Sequence, residues 1–284
     1  MRGRVLAIAG SDSSGGAGIQ ADIKTITALG AYAATAITAI TVQDPRAVYA
    51  VHLLPPALVA AQIDHALKDP GADAVKIGML ADAPTAAAVA TSLRPAAGLP
   101  LVIDPVIAAA SGARLFAEDA LGILMTELFP LATLVTPNVP EAAILSGVTI
   151  DDPAAMEEAA ARIRQQGKSR AVLVKGGHLA GGSVVDLLVS DDGTIRFEAR
   201  RLPGSPRHGT GCTLASAIAA GLAQHLDLVD AIRRARAYVR AAIAAAPPAG
   251  IGPYPLDHSV TMDPEWGQEQ GKKVTGAGNC QSSQ

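Results

Sequence analysis

Short apolar runs recur along the chain at Val5–Ala9, Ala36–Val42, Ala74–Ile77, Leu101–Ile103, Thr133–Val135 and Ala171–Val174. Their length suits single buried strands. Between most of them lie longer stretches with helical periodicity, Ile19–Leu29, Pro56–Leu67, Thr85–Leu93 and Ala154–Gln165. Parallel neighbours need crossover connections, and helices make them compactly. The alternation therefore predicts an α/β chain with a mostly parallel central sheet between two helical layers. A ligand is expected at the carboxyl edge of such a sheet.

The pattern changes at Val184–Val189 and Thr194–Glu198, two short runs flanking Asp191, Asp192 and Gly193, which predict a hairpin. Two helical segments follow, Thr210–Gln224 and Leu228–Ala246, ended by Pro247 and Pro248. From Gly267 to Gln284 the chain is polar and rich in Gly, Gln, Ser and Lys, the composition of a disordered tail. No internal repeat or linker divides the rest, so residues 1–266 are expected to form one domain and 267–284 a tail.

Composition narrows the function. With 284 residues, 49% hydrophobic and 17% charged, the chain can bury a large core. A net charge of -3 with scattered basic residues leaves no footprint for nucleic acid or an anionic membrane. The run Val5–Ala9 is too short for a signal-peptide core, and no stretch has the roughly 18 uninterrupted apolar residues of a membrane span. A cytoplasmic protein is expected. Cys212 and Cys280 stand far apart without metal-ligand spacing, so no structural zinc site is expected.

Two glycine-rich loops draw attention. Gly10-Ser11-Asp12-Ser13-Ser14-Gly15-Gly16-Ala17-Gly18 lies between a strand and a helix, where close backbone approach and a helix N-terminus favour an anion. It has neither the Lys-Ser/Thr ending of a Walker A loop nor a dinucleotide glycine spacing, and a plain strand-to-helix turn explains it equally. His208-Gly209-Thr210-Gly211-Cys212-Thr213 directly precedes an alanine-rich helix. Its amides would converge at the positive end of the helix dipole, a place to hold a transferring phosphoryl group. Cys212 falls in the first helical turn, where a thiolate is stabilised and a depressed pKa is expected; a small buried hydrophobe is the competing account.

Asp104-Pro105-Val106 and Thr136-Pro137-Asn138-Val139-Pro140-Glu141 lie at predicted strand ends. A carboxylate and an Asn-x-x-Glu group there suit magnesium beside nucleotide phosphates, directly or through water; helix capping by Asn138 and Glu141 competes. Lys175 ends another strand before Gly176 and Gly177 and can reach phosphate oxygens, or simply be solvated. His178 and His208 read as loop residues.

Taken in order, six segments resemble the hydroxymethylpyrimidine and phosphomethylpyrimidine kinases of thiamine biosynthesis, within the ribokinase-like superfamily. They are Ile8–Asp12, Ser14–Asp22, Lys76–Leu80, Thr136–Ala142, Lys175–His178 and His208–Thr213, and the likeness spans Val5 to His258. The resemblance implies a three-layer αβα ribokinase-like fold and ATP-dependent phosphorylation of 4-amino-5-hydroxymethyl-2-methylpyrimidine and of its monophosphate. It implies that Gly10, Asp22, Gln43, Met79 and Val106 line the pyrimidine site, with Gln43 and Asp22 meeting polar ring edges. Asp104, Thr136, Asn138, Lys175, Gly209 and Gly211 would meet ATP, and Asn138 and Glu141 would serve magnesium. Gly209, Thr210, Gly211 and Cys212 would carry catalysis, with Cys212 where sugar kinases have an aspartate base. A monovalent cation is a further candidate cofactor, and a homodimer the expected assembly. One departure is Gly250-Ile251-Gly252-Pro253, where relatives often show Gly-His-Gly-Pro.

Three other readings compete. Pyridoxal or pyridoxine kinase resembles the same fold and anion hole with another ring. A catalytically silent ligand-binding regulator would lack the phosphate lysine or the anion hole, and both are present. A NAD-dependent oxidoreductase fails on glycine spacing.

Overall fold

The computed structural model describes residues 1–44, 46–107, 118–203, 208–247 and 255–262. The polar tail and the Gly250–Pro253 turn therefore lie outside the described residues. In chain order the elements are β1 (Arg4–Asp12), α1 (Gly18–Ala28), β2 (Tyr32–Gln43), β3 (Val48–Leu53), α2 (Pro56–Lys68), β4 (Ala74–Ile77), α3 (Ala83–Leu93) and β5 (Leu101–Ile103). There follow α4 (Glu118–Ile123), β6 (Leu134–Val135), α5 (Val139–Ser146), α6 (Pro153–Gly167), β7 (Ala171–Val174), β8 (Ser183–Ser190), β9 (Gly193–Arg200), α7 (Thr210–Ala223) and α8 (Leu228–Ala245).

The nine strands form one sheet in the order β3-β2-β1-β4-β5-β6-β7-β8-β9. Strands β2 through β7 of that order run parallel. At one edge β3 pairs antiparallel with β2; at the other, the expected hairpin β8–β9 pairs antiparallel with β7. Strand β3 is an addition to the sequence reading.

Alternation along each strand divides the core in two. Leu6 and Ile8 of β1, Val75 and Ile77 of β4, and Val172 and Val174 of β7 pack toward α2, α3, α5 and α6. Val5, Ala7, Ala74, Ala171 and Leu173 pack toward α1, α7 and α8. Helix α7 is buried from Thr213 to Ala223, and its small side chains let it lie close to its neighbours: a methyl on Gly221 would fall 2.9 Å from Ala231 Cβ.

One position breaks the apolar alternation. Lys76 in β4 points to the α1/α7 side and is fully buried. Its Nζ donates to both carboxylate oxygens of Asp22 in α1 at 2.8 Å, and Ser216 of α7 donates to Asp22 Oδ1 at 2.7 Å. A buried ammonium requires such partners. The sheet and two helices of one covering layer, α1 and α7, are thus tied together beneath the carboxyl edge.

Candidate functional site

The parallel strands end in register. Amides of Gly78, Asp104, Thr136 and Lys175 donate to Ile8, Ile77, Ile103 and Pro137 carbonyls respectively, so the chain ends of β4, β5, β6 and β7 form one line of polar residues. The N-terminus of α7 faces that line. A methyl on Gly211 would lie 3.1 Å from Lys175 Nζ and 3.4 Å from Asp104 Oδ2. Lys175 Nζ donates to Asp104 Oδ1 at 2.6 Å, and Thr136 Oγ1 approaches the same oxygen at 3.3 Å. Burial opposes the charge on Lys175, but Asp104 and Glu141 more than restore it, so the pKa is raised and the ammonium persists.

Gly209 is the N-cap of α7, with φ 83°. A side chain here is excluded twice, by the left-handed backbone and by contact, since a methyl would fall 1.8 Å from the Gly16 carbonyl oxygen. The two glycine-rich loops therefore touch. His208 strengthens the junction by approaching Asp12 Oδ2 with its Nε2 at 2.9 Å. Asp12 also accepts from the Ser14 amide and hydroxyl and from the Ala17 amide. Burial alone would raise the Asp12 pKa, yet the bonds from His208, Ser14 and Ala17 outweigh it and bring it to about 2.

Beside this junction lies a small apolar cluster separate from the two main cores: Ala39, Met79 and Ala81, with Val106 packed against them. A methyl on Gly10 would sit 2.8 Å from Met79 Cε, so Gly10 and the thioether form one wall. Ala81 holds φ 70°, uncommon for a residue with a side chain, and turns the chain from β4 into α3. Gln43, at the end of β2, approaches His208 at 3.0 Å and Thr41 at 3.3 Å through its amide. Gly10, Gln43, Met79 and Val106 are thereby brought to one side of the glycine loops, and Asp104, Thr136 and Lys175 to the other.

Two expectations need correction. Asp22 does not present its carboxylate to a ring edge: it is fully buried, and its oxygens are engaged by Lys76 and Ser216. Cys212 keeps partial exposure, but its thiol is not acidified. Burial lifts it, Lys76 and the Gly18 amide pull it down, and Asp104 and Asp22 lift it again, leaving it pushed up to about 11. The helix terminus is outweighed by burial among carboxylates. Asn138 and Glu141 form a reciprocal cap on α5, Asn138 Oδ1 accepting from the Glu141 amide at 2.9 Å and Glu141 Oε2 from the Asn138 amide at 2.8 Å. Burial raises the Glu141 pKa to about 7, with Lys175 opposing and Asp104 assisting. Among the described residues there is no group of three or more His, Cys, Asp or Glu that could hold a metal.

The family model for phosphomethylpyrimidine kinase matches residues 12–257. The chain belongs to that family. The kinase is 50% identical over 248 residues to the hydroxymethylpyrimidine/phosphomethylpyrimidine kinase of Rhizobium meliloti, covering 87% of this chain and 92% of that protein. It is 49% identical over 262 residues to the thiamine biosynthesis bifunctional protein ThiED of Geobacter sulfurreducens; the match covers 92% of this chain but only 53% of that longer relative. Among solved structures, an ADP complex of Bacillus subtilis pyridoxal kinase superimposes with a TM-score of 0.83 at 33% identity, covering 92% of this chain and 99% of that one. The three-layer ribokinase-like architecture of the kinase agrees with these relatives. Among the described residues, no helix is long and apolar enough to cross a membrane.

Sequence reasoning missed Lys76, Asp12 and His208 as site-building residues. A lysine between Val75 and Ile77 in a short apolar strand was a signal for a paired buried charge. Nothing in the linear pattern joined Asp12 to His208.

Proposed function

We propose that the protein transfers the γ-phosphoryl group of ATP to the hydroxymethyl group of 4-amino-5-hydroxymethyl-2-methylpyrimidine, and then to the resulting monophosphate. The observation that carries this reading is the line of Lys175 and Asp104 against the α7 N-terminus, directly beside the Gly10–Met79 wall and Gln43. Amides of Gly209, Thr210, Gly211 and Cys212 supply the positive end of a buried helix for the charge that develops on the transferring group. Lys175, with one donor on Asp104, has two more for phosphate oxygens. Val106 and Met79 pack on the ring, and the Gln43 amide pairs with its edge.

The oxygen donors near Lys175 suit magnesium, which neutralises phosphate charge. Glu141 and Asn138 are already engaged in the α5 cap, so they would hold the ion through its waters. The neutral Cys212 thiol lies in the first turn of α7, where it packs against the hole. We further place the enzyme in the cytoplasm, with residues 1–266 as the catalytic domain, and assign it a homodimeric state. Supporting the dimer, Tyr49 of the edge strand β3 and Val42 of its neighbour β2 are 65% and 59% exposed, with Val51 and Ile40 of the same two strands also exposed.

An ADP-release assay with hydroxymethylpyrimidine, its monophosphate, pyridoxal and ribose tests the reading, run with and without added potassium. Turnover of the first two at higher kcat/KM than pyridoxal is expected. Preference for pyridoxal would instead assign the ring pocket to a pyridine. A chain ending at Trp266 should keep its kcat, and sedimentation should return a dimer.

A further inference from the structure

The contacts around Gln43 contain a proton-counting constraint. Asp12 is a carboxylate held by four donors: Ser14 N and Oγ on Oδ1, at 2.8 and 2.7 Å, and Ala17 N and His208 Nε2 on Oδ2, at 2.8 and 2.9 Å. Such an oxygen only accepts, so His208 Nε2 carries a hydrogen in either imidazole charge state. That nitrogen has no lone pair left to take a hydrogen from Gln43, which lies 3.0 Å away. The Gln43 atom facing it must therefore be the amide oxygen, sharing the one Nε2 hydrogen with Asp12 Oδ2 in a three-centre bond; as placed, the amide has its Nε2 against the imidazole and its Oε1 against Thr41, and the hydrogen count requires it turned over.

A second contact demands the same orientation independently. Thr41 has one hydroxyl hydrogen, and Oγ1 donates it to the Ser11 carbonyl at 2.9 Å. The Gln43 atom 3.3 Å from Thr41 Oγ1 then meets a lone pair, and must be the amide nitrogen. Oxygen and nitrogen of a terminal amide are alike in shape, and the hydrogen-bond network decides which is which. Both neighbours decide alike.

We propose that His208, locked by Asp12, is a positioning residue that turns the Gln43 carbonyl toward the imidazole and its NH₂ group toward Thr41 and the ring-binding space. This rests on the reading that Gln43 meets the substrate ring. One NH₂ hydrogen goes to Thr41, which leaves a single free donor. The substrate edge presented to Gln43 must then be an acceptor, a ring nitrogen, rather than an amino group. Donor and acceptor cannot be exchanged by a simple side-chain flip, because the flipped amide faces two mismatched partners.

The test compares kcat and KM for hydroxymethylpyrimidine and its two analogues in which one ring nitrogen is replaced by CH. The wild-type enzyme should lose on the order of tenfold or more in kcat/KM for one analogue and much less for the other. In Gln43→Ala that discrimination should vanish. In His208→Phe, which keeps a ring but removes the donor, KM should rise more than kcat falls and the discrimination should shrink to within about threefold. Full discrimination in His208→Phe would overturn the proposal while leaving Gln43 in the site. An unchanged KM and discrimination in Gln43→Ala would remove Gln43 from the site, and the proposal with it. Nitrogen-15 NMR of the wild-type protein needs no variant to fold: His208 Nε2 should appear protonated at every pH from about 5 to 9, and an unprotonated Nε2 would overturn the inference.

Discussion

Replacing Cys212 separates two ways in which the α7 terminus can accelerate phosphoryl transfer. A general base typically contributes about 10²- to 10⁴-fold, or roughly 3 to 5 kcal/mol. To act as that base the thiol must first lose its proton, and its pKa is pushed up to about 11 by burial and by Asp104 and Asp22. At neutral pH that is about four units uphill, close to 5 kcal/mol at 1.36 kcal/mol per unit. The cost cancels the gain, and bound polyphosphate adds negative charge that lifts the thiol further. Cys212→Ala and Cys212→Ser should therefore lower kcat by less than about tenfold, with KM for ATP nearly unchanged. The direction with pH follows from the sign: a thiolate base would make kcat rise tenfold per pH unit up to about 11, whereas a spectator thiol leaves it flat. Steady-state ADP release between about pH 6 and 9, on wild type and both variants, measures this. A loss of about 10³-fold in Cys212→Ala, together with a unit slope in the wild type, would refute the reasoning and restore the thiolate as base.

Three further outcomes are expected. His258, whose Nε2 lies 3.0 Å from Thr213 Oγ1, is held neutral by burial, with Lys24 assisting, so that its pKa falls to about 4. The unfolded chain binds the extra proton between about pH 6.5 and 4, so stability is fully present above that window and drops by about 3 kcal/mol on acidification through it; urea titrations at several pH values should show this, and His258→Gln should flatten it. Lys76→Met and Asp22→Leu should each cost about 3 to 5 kcal/mol by stranding a buried charge, while the double variant recovers most of the loss; strict additivity in denaturant unfolding would contradict a coupled pair. Gly209→Ala forces a methyl to within 1.8 Å of the Gly16 carbonyl and should abolish turnover, whereas Gly122→Ala, which meets open space, should be silent in the same assay.

The layered fold was legible because its strands are buried on both faces and its helices are amphipathic. Ala74–Ile77, Leu101–Ile103 and Ala171–Val174 appear with the expected bounds, the runs at Val5–Ala9 and Ala36–Val42 lengthen at both ends, Thr133–Val135 shortens to β6, and the β8–β9 hairpin appears with shifted ends. Strand β3 was not legible: Val48–Leu53 is largely exposed and antiparallel at the sheet edge, so it carries no burial pattern of its own. The places of Lys175 at a strand end and of Gly209–Gly211 at a helix start could be read because both are local features. The true partners of Asp22 could not, since Lys76 and Ser216 reach it from elements 54 and 194 residues away. Cys212 misled for a related reason. A helix terminus is visible in sequence, but the carboxylates of Asp22 and Asp104 that crowd the thiol arrive only through tertiary packing.

The contact between Gly209 and Gly16, with the Asp12–His208 bond spanning 196 residues, gives the enzyme a particular biosynthetic history. A growing chain that has not yet released α7 has Lys175 and the Gly10–Met79 wall but no helix terminus facing them. Its Asp12 lacks one donor, and the Lys76–Asp22 pair lacks the hydroxyl of Ser216. The junction of the two glycine-rich loops is complete only once α7 and His208 are in place.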